Sequence, residues 1–476
     1  MRAVAVTFAL LMLARPVPAR AAQRPDSLAA RVREFVLVDT AAVALTHVLV
    51  IDGTGAAPRP DQTVVIRDGK IAEVGPAATV RVPPGVRTLE LSGSTVIPGL
   101  VGMHDHLFYT AAGGRSAQMS YTGPRLYLGA GVTTIRTTGS RSPYAEINLK
   151  DQIDRGLEPG PRIHITAPYI TGPQGGGGMA ILNSPEAARR FVAYWAAEGA
   201  TWIKAYTDIR RAELGAAIAE AHKRGIKVTG HLCSVTLKEA VALGIDNLEH
   251  GMFAASDFAA TKTPDVCPPN TLAGPNEADP VGEVGQTTIR TLVAHHVSMT
   301  STLAVVEPFI ANRPTKDARV LEAMAPEVRQ SYLKIREQFD TSGHAPVTVK
   351  GLQSAMAFER AFVAAGGLLA AGVDPTGIGG ALAGFGDQRN YELLIEAGFT
   401  PAQVVQIMTL NGARILGVDR RLGSVETGKL ADLVVLQGDL PTMPAAIREV
   451  RIVFKDGVGY DSAKLIASVK ERVGIN

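Results

Sequence analysis

The chain has 476 residues, of which 46% are hydrophobic and 20% are charged. This composition is that of a globular protein rather than a disordered one, and the length exceeds what one ordinary core accommodates, so we expect a large domain and a smaller one. The formal net charge of +3 gives no electrostatic support for binding to nucleic acid or to an anionic surface.

The N-terminal segment, residues 1–21, has the pattern of a secretory signal peptide. A basic Arg2 precedes an apolar stretch at residues 3–13 that is too short to span a bilayer, and Ala19-Arg20-Ala21 forms a small-x-small cleavage site. Cleavage there would remove three arginines and no acidic residue. The remaining chain would then have equal numbers of basic (Lys and Arg) and acidic (Asp and Glu) side chains. We therefore expect a periplasmic or secreted protein. The rest of the chain has no run of about 18 apolar residues, so no membrane anchor is expected after cleavage.

Two strand-rich segments, residues 40–95 and 421–462, lie near opposite ends of the chain. Stretches such as "QTVVIRDGKIAEVG" and "GSVETGKLADLVVLQGD" contain short β-branched runs separated by Gly and Asp turns. We expect the two segments to pair into one composite β-sandwich domain. Residues 463–476 are expected to form a C-terminal helix.

Between these segments, residues 96–420 alternate between strands and helices. Eight strand candidates, among them "VIPGLVGMHDH", "WIKAY" and "VTGHL", are separated in many places by helical stretches such as "SPEAARRFVAYWAAEG". This alternation predicts an α/β fold, a TIM-type (β/α)8 barrel. A doubly wound open sheet is the alternative. It would need a GxGxxG turn after an early strand, and "GPQGGGGMAI" after the third candidate lacks that pattern.

The carboxyl ends of five strand candidates carry residues suited to metal binding. His104 and His106 are two residues apart, so in a strand their side chains point to the same side. Such strand ends meet at the catalytic mouth of a barrel. Any one of these residues alone is more often a hydrogen-bonded structural group, and it is the whole ordered set that indicates a metal site. The remaining members are Lys204, His231, His250 and Asp374.

These motifs, together with "NLEHG", "AGVDPTG", "MTLNGARILG" and "GSVETGKLADLVVL", resemble the amidohydrolase superfamily, specifically its secreted branch of imidazolonepropionase-like and peptidase-like members. The resemblance covers nearly the whole mature chain. It implies two divalent metal ions. His104, His106 and Asp374 would bind the more buried ion, and His231 and His250 would bind the outer one.

The resemblance also implies that CO₂ converts the amine of Lys204 to a carbamate that bridges both ions. A bare ammonium has no lone pair to offer a cation, whereas a carbamate acts as a bidentate carboxylate. Zinc is the first expectation for such a histidine-rich hydrolytic site, with manganese, cobalt or iron left open.

The expected mechanism follows from charge. Two cations about 3.5–4 Å apart would bring the pKa of a bridging water towards neutrality and supply hydroxide. Asp374 would accept the hydroxide proton during attack and deliver it to the leaving nitrogen. Tyr206, two residues after Lys204, could hydrogen-bond a substrate carboxylate or the developing oxyanion, and a packed tyrosine is an equally good interpretation. Arg136, inside the second strand, is a better candidate for a structural ion pair than for a supporting role at the site.

The two cysteines allow two interpretations. Cys233 lies two residues past His231, and Cys267 lies in the long polar loop after the sixth strand candidate. Either a disulfide ties this loop to the rim of the site, or Cys233 is a free thiol, and the sequence leaves both open.

The leading functional hypothesis is a metal-dependent hydrolase of amide or other C–N bonds. Its small-molecule substrate would be an N-acyl amino acid, a short peptide or a cyclic amide. A lactonase or esterase on the same site is the first alternative. A non-catalytic exported binding protein is disfavoured, because ligand binding without catalysis does not require both the lysine and the aspartate.

The stretch "AYTDI" after Lys204 departs from the glycine-rich stretch of dipeptidase-like relatives, which weakens a transfer of dipeptide specificity. The oligomeric state, including a homo-oligomer, is left open.

Overall fold

A computed structural model describes residues 27–38, 40–110, 114, 116–313 and 317–475 of the chain. The expected signal peptide, residues 1–21, lies outside the described residues. Within the described ranges, no helix combines the length and the apolar character needed to cross a bilayer.

Strands from both ends of the chain pair in one nine-stranded sheet. The two halves join where Ser94–Pro98 runs antiparallel to Leu433–Gln437, with Val96 opposite Val435. Apolar side chains from both halves form one buried cluster, so each half covers surface that the other would expose. The strands are Val36–Val38, Ala42–Val50, Arg59–Arg67, Lys70–Pro76, Arg87–Glu90, Ser94–Pro98, Leu433–Gln437, Val450–Lys455 and Val458–Asp461.

Eight parallel strands occupy the middle of the chain, in a three-stranded and a seven-stranded sheet that also includes Ile170–Thr171 and Ala180–Ile181. Backbone contacts connect the sheets at both edges. Thr166 forms a parallel bridge with Trp202, and the amide of Asp374 donates to the carbonyl of His104 at 2.8 Å. This strand order is the one that a TIM-type barrel requires. The eight strands are Leu100–Asp105, Val132–Thr137, Arg162–His164, Trp202–Ala205, Lys227–Gly230, Asn247–Glu249, Ser298–Ser301 and Leu369–Ala371.

The first strand candidate divides at Gly99. Ser94–Pro98 belongs to the nine-stranded sheet, whereas Leu100–Asp105 is the first parallel strand. A β-carbon at position 99 would overlap the side chain of Thr133. Only glycine therefore lets the chain pass this close to the second parallel strand while it changes sheets.

Helices follow most of the parallel strands, and their starts have local causes. The hydroxyl of Ser184 accepts from the amide of Ala187 at 3.2 Å, and Thr236 forms a capping box with Glu239. A short antiparallel pair, Phe108–Thr110 with Ser116–Gln118, follows the first parallel strand. The α-helices are Ala30–Arg33, Thr122–Gly129, Pro143–Asp154, Pro185–Ala197, Arg211–Lys223, Leu237–Ala242, Glu283–Ala294, Leu303–Val306, Ala318–Ala323, Pro326–Ser342, Val349–Ala364, Phe385–Glu396, Pro401–Gln406, Gly412–Leu416 and Ser462–Ala467.

The C-terminal helix is shorter than predicted. It spans Ser462–Ala467 instead of residues 463–476. The backbone after it makes other hydrogen bonds: the amides of Glu471 and Val473 donate to the carbonyls of Glu322 and Ala323 at 2.8 and 2.9 Å. These contacts satisfy the donors that a longer helix would have used.

Candidate metal centre

His104 and His106 lie where the first parallel strand ends, and only 2% and 1% of their surfaces are exposed. Asp374 follows the eighth strand and faces both imidazoles. Its Oδ2 lies 3.6 Å from Nε2 of His104, and its Oδ1 lies 3.3 Å from Nε2 of His106. The first and last parallel strands thus bring together three of the predicted ligands.

The other two predicted histidines extend the same cluster. His250 follows the sixth strand, and its Nε2 lies 3.9 Å from Oδ2 of Asp374. The ring centroids of His104 and His250 are 4.5 Å apart, and those of His250 and His231 are 4.3 Å apart. One ligand atom each of His104, His250 and Asp374 lies within 4.8 Å of the others, a spacing that one metal ion could span.

Unusual backbone conformations place two of these ligands. His250 and Asp374 have φ angles of 64° and 49°, in the left-handed region that non-glycine residues seldom adopt. Such conformations cost free energy and concentrate at functional sites. Gly372 contributes in another way, since a β-carbon there would overlap the backbone of His104. The absence of a side chain at position 372 lets the eighth strand approach the first.

Lys204 is the second-last residue of the fourth strand, and 0% of its surface is exposed. Its Nζ has no hydrogen-bond partner among the described residues. Burial lowers the pKa of Lys204 to about 8, because a low-polarity environment disfavours the charged amine. Burial therefore increases the neutral fraction of this lysine near physiological pH.

The imidazoles of His104, His231 and His250 are neutral at pH 7. Burial, reinforced by the positive charge of Lys204, lowers the pKa of His104 to about 4 and that of His231 to about 3. Burial also holds the pKa of His250 well below its ordinary value. For Asp374, burial opposes ionisation, but the neighbouring His104 holds its pKa well below the ordinary range. Neutral imidazoles and an ionised carboxylate that converge on one point form a donor set for a cation.

A buried charge network that the sequence did not predict orients His104. Oε2 of Glu249 lies 2.7 Å from Nδ1 of His104, and Nη2 of Arg136 donates to Oε1 of Glu249 at 2.6 Å. Burial acts to raise the pKa of Glu249, but Arg136 holds it well below the ordinary value. Arg136 is thus in an ion pair, as expected, and it also acts on the site through Glu249. The available signal was an acidic residue in the strand-end stretch "NLEHG", directly before His250.

Two tyrosines line the wall beside the histidines. The hydroxyl of Tyr169, which sequence reasoning missed, lies 3.2 Å from Nε2 of His106. The ring of Tyr206 lies 5.4 Å from that of Tyr169 and 4.9 Å from that of His231. Burial raises the pKa of Tyr206 to about 12, so its hydroxyl is a neutral donor. Tyr206 is thus close to the cluster.

A cavity of about 560 Å³ opens over the cluster, and its lining includes all six predicted metal-binding residues. Cys233 and Cys267 form a disulfide in its wall, with Cα atoms 4.8 Å apart. The disulfide interpretation of the two cysteines is therefore the correct one. The loop after the sixth strand also contains short 3-10 helices at Gly251–Ala254, Ser256–Phe258 and Thr271–Asn276.

A fold of this kind, with such a cluster at its strand ends, is that of a hydrolase acting on carbon–nitrogen bonds. The chain belongs to the amidohydrolase family, whose model matches residues 95–459.

Similar proteins differ in how much of the chain they match. A structure described as a candidate prolidase from Bifidobacterium longum is 25% identical, with a TM-score of 0.62 over 90% of this chain and 98% of its own. Bottromycin amidohydrolase is 20% identical, with a TM-score of 0.66 over 90% of this chain and 91% of its own, and shows the fold. An imidazolonepropionase from Myxococcus xanthus (strain DK1622) is 45% identical over 64 residues, which are 13% of this chain and 15% of that relative. The chain therefore aligns with only a small part of that relative.

Proposed function

We propose that this protein is a metal-dependent hydrolase that cleaves an amide or other C–N bond of a small-molecule substrate. Candidate substrates are an N-acyl amino acid, a short peptide and a cyclic amide. One observation carries the proposal: ligand atoms of His104, His250 and Asp374 converge within 4.8 Å. Nε2 of His250 and Nζ of Lys204 are buried there without a hydrogen-bond partner among the described residues. Buried polar atoms rarely lack partners. Cation binding would account for the first of these atoms, and the carbamate proposed below would account for the second.

We propose that this donor set binds a pair of divalent ions. We assign His104, His106 and Asp374 to one ion and His231 and His250 to the other. Imidazole nitrogens and carboxylate oxygens suit zinc first, and also manganese, cobalt or iron. When bound, such ions supply positive charge that lowers the pKa of water and polarises a carbonyl.

Lys204 would complete the site as a carbamate. Its neutral amine adds through nitrogen to the carbon of CO₂, and loss of one proton leaves an anionic carbamate in place of an ammonium. This conversion replaces an unpaired buried cation with two oxygen donors, which removes the conflict between Lys204 and nearby positive charge. The buried, unpartnered Nζ supports this assignment.

Asp374 is the proposed proton shuttle. Its carboxylate accepts a proton from the attacking water and passes it to the leaving nitrogen, because an amine leaves poorly unless it is protonated. The hydroxyl of Thr376 donates to Oδ1 of Asp374 at 2.8 Å and helps to hold the carboxylate in place. Tyr206 would donate its hydroxyl to the developing oxyanion or to a substrate carboxylate.

We also propose that the eight parallel strands close into a TIM-type barrel and that the nine-stranded sheet forms a composite β-sandwich domain. Backbone contacts at both edges of the parallel sheets support the first statement, and the shared apolar cluster supports the second.

A periplasmic or secreted location is a further proposal. The disulfide supports it, because such bonds persist in oxidising compartments. Fractionation of cells that express the full chain, with mass analysis of its N-terminus, tests this location. Uncleaved protein in the cytoplasmic fraction would contradict it.

Asp374→Asn with matched amide and ester substrates tests the mechanism. We expect amide turnover to fall by about 10²- to 10⁴-fold, and ester turnover to fall less, because an alkoxide leaves with less help. Metal content is measured in parallel, so that loss of proton transfer is separated from loss of the ions. Failure of the metal-loaded wild-type protein to cleave any C–N bond, with turnover of lactones or esters, would favour the lactonase or esterase alternative.

A further inference from the structure

Arg141 stands out among the side chains that line the cavity. It follows the second parallel strand by four residues and lies at the exposed mouth, whereas Lys204 lies at the buried floor. Among the described lining residues, these two are the basic side chains and Asp374 is the one carboxylate. Among the described lining residues, Arg141 is therefore the one Lys or Arg side chain at the exposed mouth.

The guanidinium of Arg141 makes no polar contact with the described residues that would stabilise the fold. Its central carbon lies 5.1 Å from the ring centroid of Phe108, which holds the side chain against the cavity wall. It makes no ion pair or hydrogen bond with any residue in the described ranges. By contrast, Arg136 and Arg162 are both paired with buried carboxylates. A guanidinium is always charged, and its planar donors match the two oxygens of a carboxylate.

The surroundings of Arg141 indicate the ligand that it would take. Tyr169 and Tyr206 line the same cavity as Arg141. The ring of Phe108, over which Arg141 lies, is 6.3 Å from the ring of Tyr169, and the hydroxyl of Tyr169 is 3.2 Å from Nε2 of His106. Hydroxyl donors thus share the cavity wall with the guanidinium and the metal-binding cluster. The rest of the wall is largely apolar, with Met179, Leu232 and Phe253 among its residues. A ligand with an apolar body and one anionic end would match this arrangement.

We propose that Arg141 binds a free carboxylate of the substrate and thereby selects N-acyl amino acids or peptides with a free carboxyl end over neutral amides and lactams. This assignment rests on the proposed hydrolysis at the cluster. The substrate would lie with its scissile bond at Asp374 and its carboxylate at the mouth. Arg141 acts there as a specificity-determining residue and takes no part in bond cleavage.

The test compares two substrates that differ only at the anionic end, N-acetyl-L-leucine and N-acetyl-L-leucinol, with release of acetate as the readout. Arg141→Met should lower kcat/KM for the acid by about 10- to 100-fold, the usual effect of losing a charge-assisted hydrogen bond. Turnover of the alcohol should be unchanged. Arg189→Met removes the same charge from an exposed position on the helix Pro185–Ala197 and should change neither rate.

Calorimetric binding of the same two compounds to the metal-loaded protein separates this inference from the proposed function. If the wild-type protein binds the acid more tightly than the alcohol, and Arg141→Met abolishes that preference, the carboxylate site holds even without hydrolysis. If both compounds are cleaved and Arg141→Met changes kcat/KM equally for both, the proposed hydrolysis is supported and the carboxylate site is refuted. An absence of any Arg141-dependent preference in both assays refutes it as well.

Discussion

Nδ1 of His104 and Oε2 of Glu249 lie 2.7 Å apart in the buried interior, although the two residues are 145 positions apart in the chain. This contact fixes which nitrogen of His104 faces Asp374. A neutral imidazole that donates from Nδ1 keeps its lone pair on Nε2, and carboxylate partners of this kind orient metal ligands in many proteins.

Glu249→Gln should therefore weaken metal binding without removing a proposed ligand. We expect a loss of about 10- to 100-fold in metal affinity, measured by competition with a chelator. Glu359→Gln is the matched control, because Glu359 is an equally buried glutamate on the helix Val349–Ala364, with 1% of its surface exposed. Equal affinities in the wild-type protein and Glu249→Gln would show that Glu249 has no orienting role.

Gly372→Ala should disturb the site through the backbone. The new β-carbon would overlap the backbone of His104, so the eighth strand must move away and carry Asp374 with it. We expect a destabilisation of about 1–3 kcal/mol together with loss of bound metal, measured by thermal unfolding and elemental analysis. Gly176→Ala is the control, since a β-carbon there meets no atom within 4 Å. Normal metal content in Gly372→Ala would contradict the role of this close approach.

Glu359 makes stability depend on pH in a predictable direction. Burial raises the pKa of Glu359 to about 8 from an ordinary value of 4.5. Its contribution to stability is therefore fully present below pH 4.5 and is lost as the pH rises through 8. The glutamine of the Glu359→Gln variant cannot titrate. The free energy of unfolding of this variant relative to that of the wild-type protein should therefore increase between pH 4.5 and pH 8, by up to about 1.4 kcal/mol per pH unit.

Urea unfolding of both proteins at several pH values within this window measures that difference. A difference that stays constant with pH would show that Glu359 ionises normally in the folded protein.

The residues of the cluster could be found from sequence because each lies at or just after the end of a short strand pattern, as His231 does in "VTGHL", and parallel strands align their carboxyl ends. The pairing of Arg136 with Glu249 could not be found from sequence, because the two residues are 113 positions apart and their contact leaves no local sequence pattern. The sequence alone did not decide whether Cys233 and Cys267 form a disulfide, because their spacing along the chain does not give the distance between them. The C-terminal helix was predicted too long because local propensity ignores competition from the backbone near Ala323.

Metal content of Lys204→Met tests the central claim most directly. Lys223→Met is the control, because the side chain of Lys223 is 75% exposed and lies on the helix Arg211–Lys223. We expect about two ions per chain in the wild-type protein and in the control, and loss of both metal and C–N bond hydrolysis in Lys204→Met. A Lys204→Met protein with its full complement of ions and full turnover would contradict the bridging role of this lysine and the two-ion site.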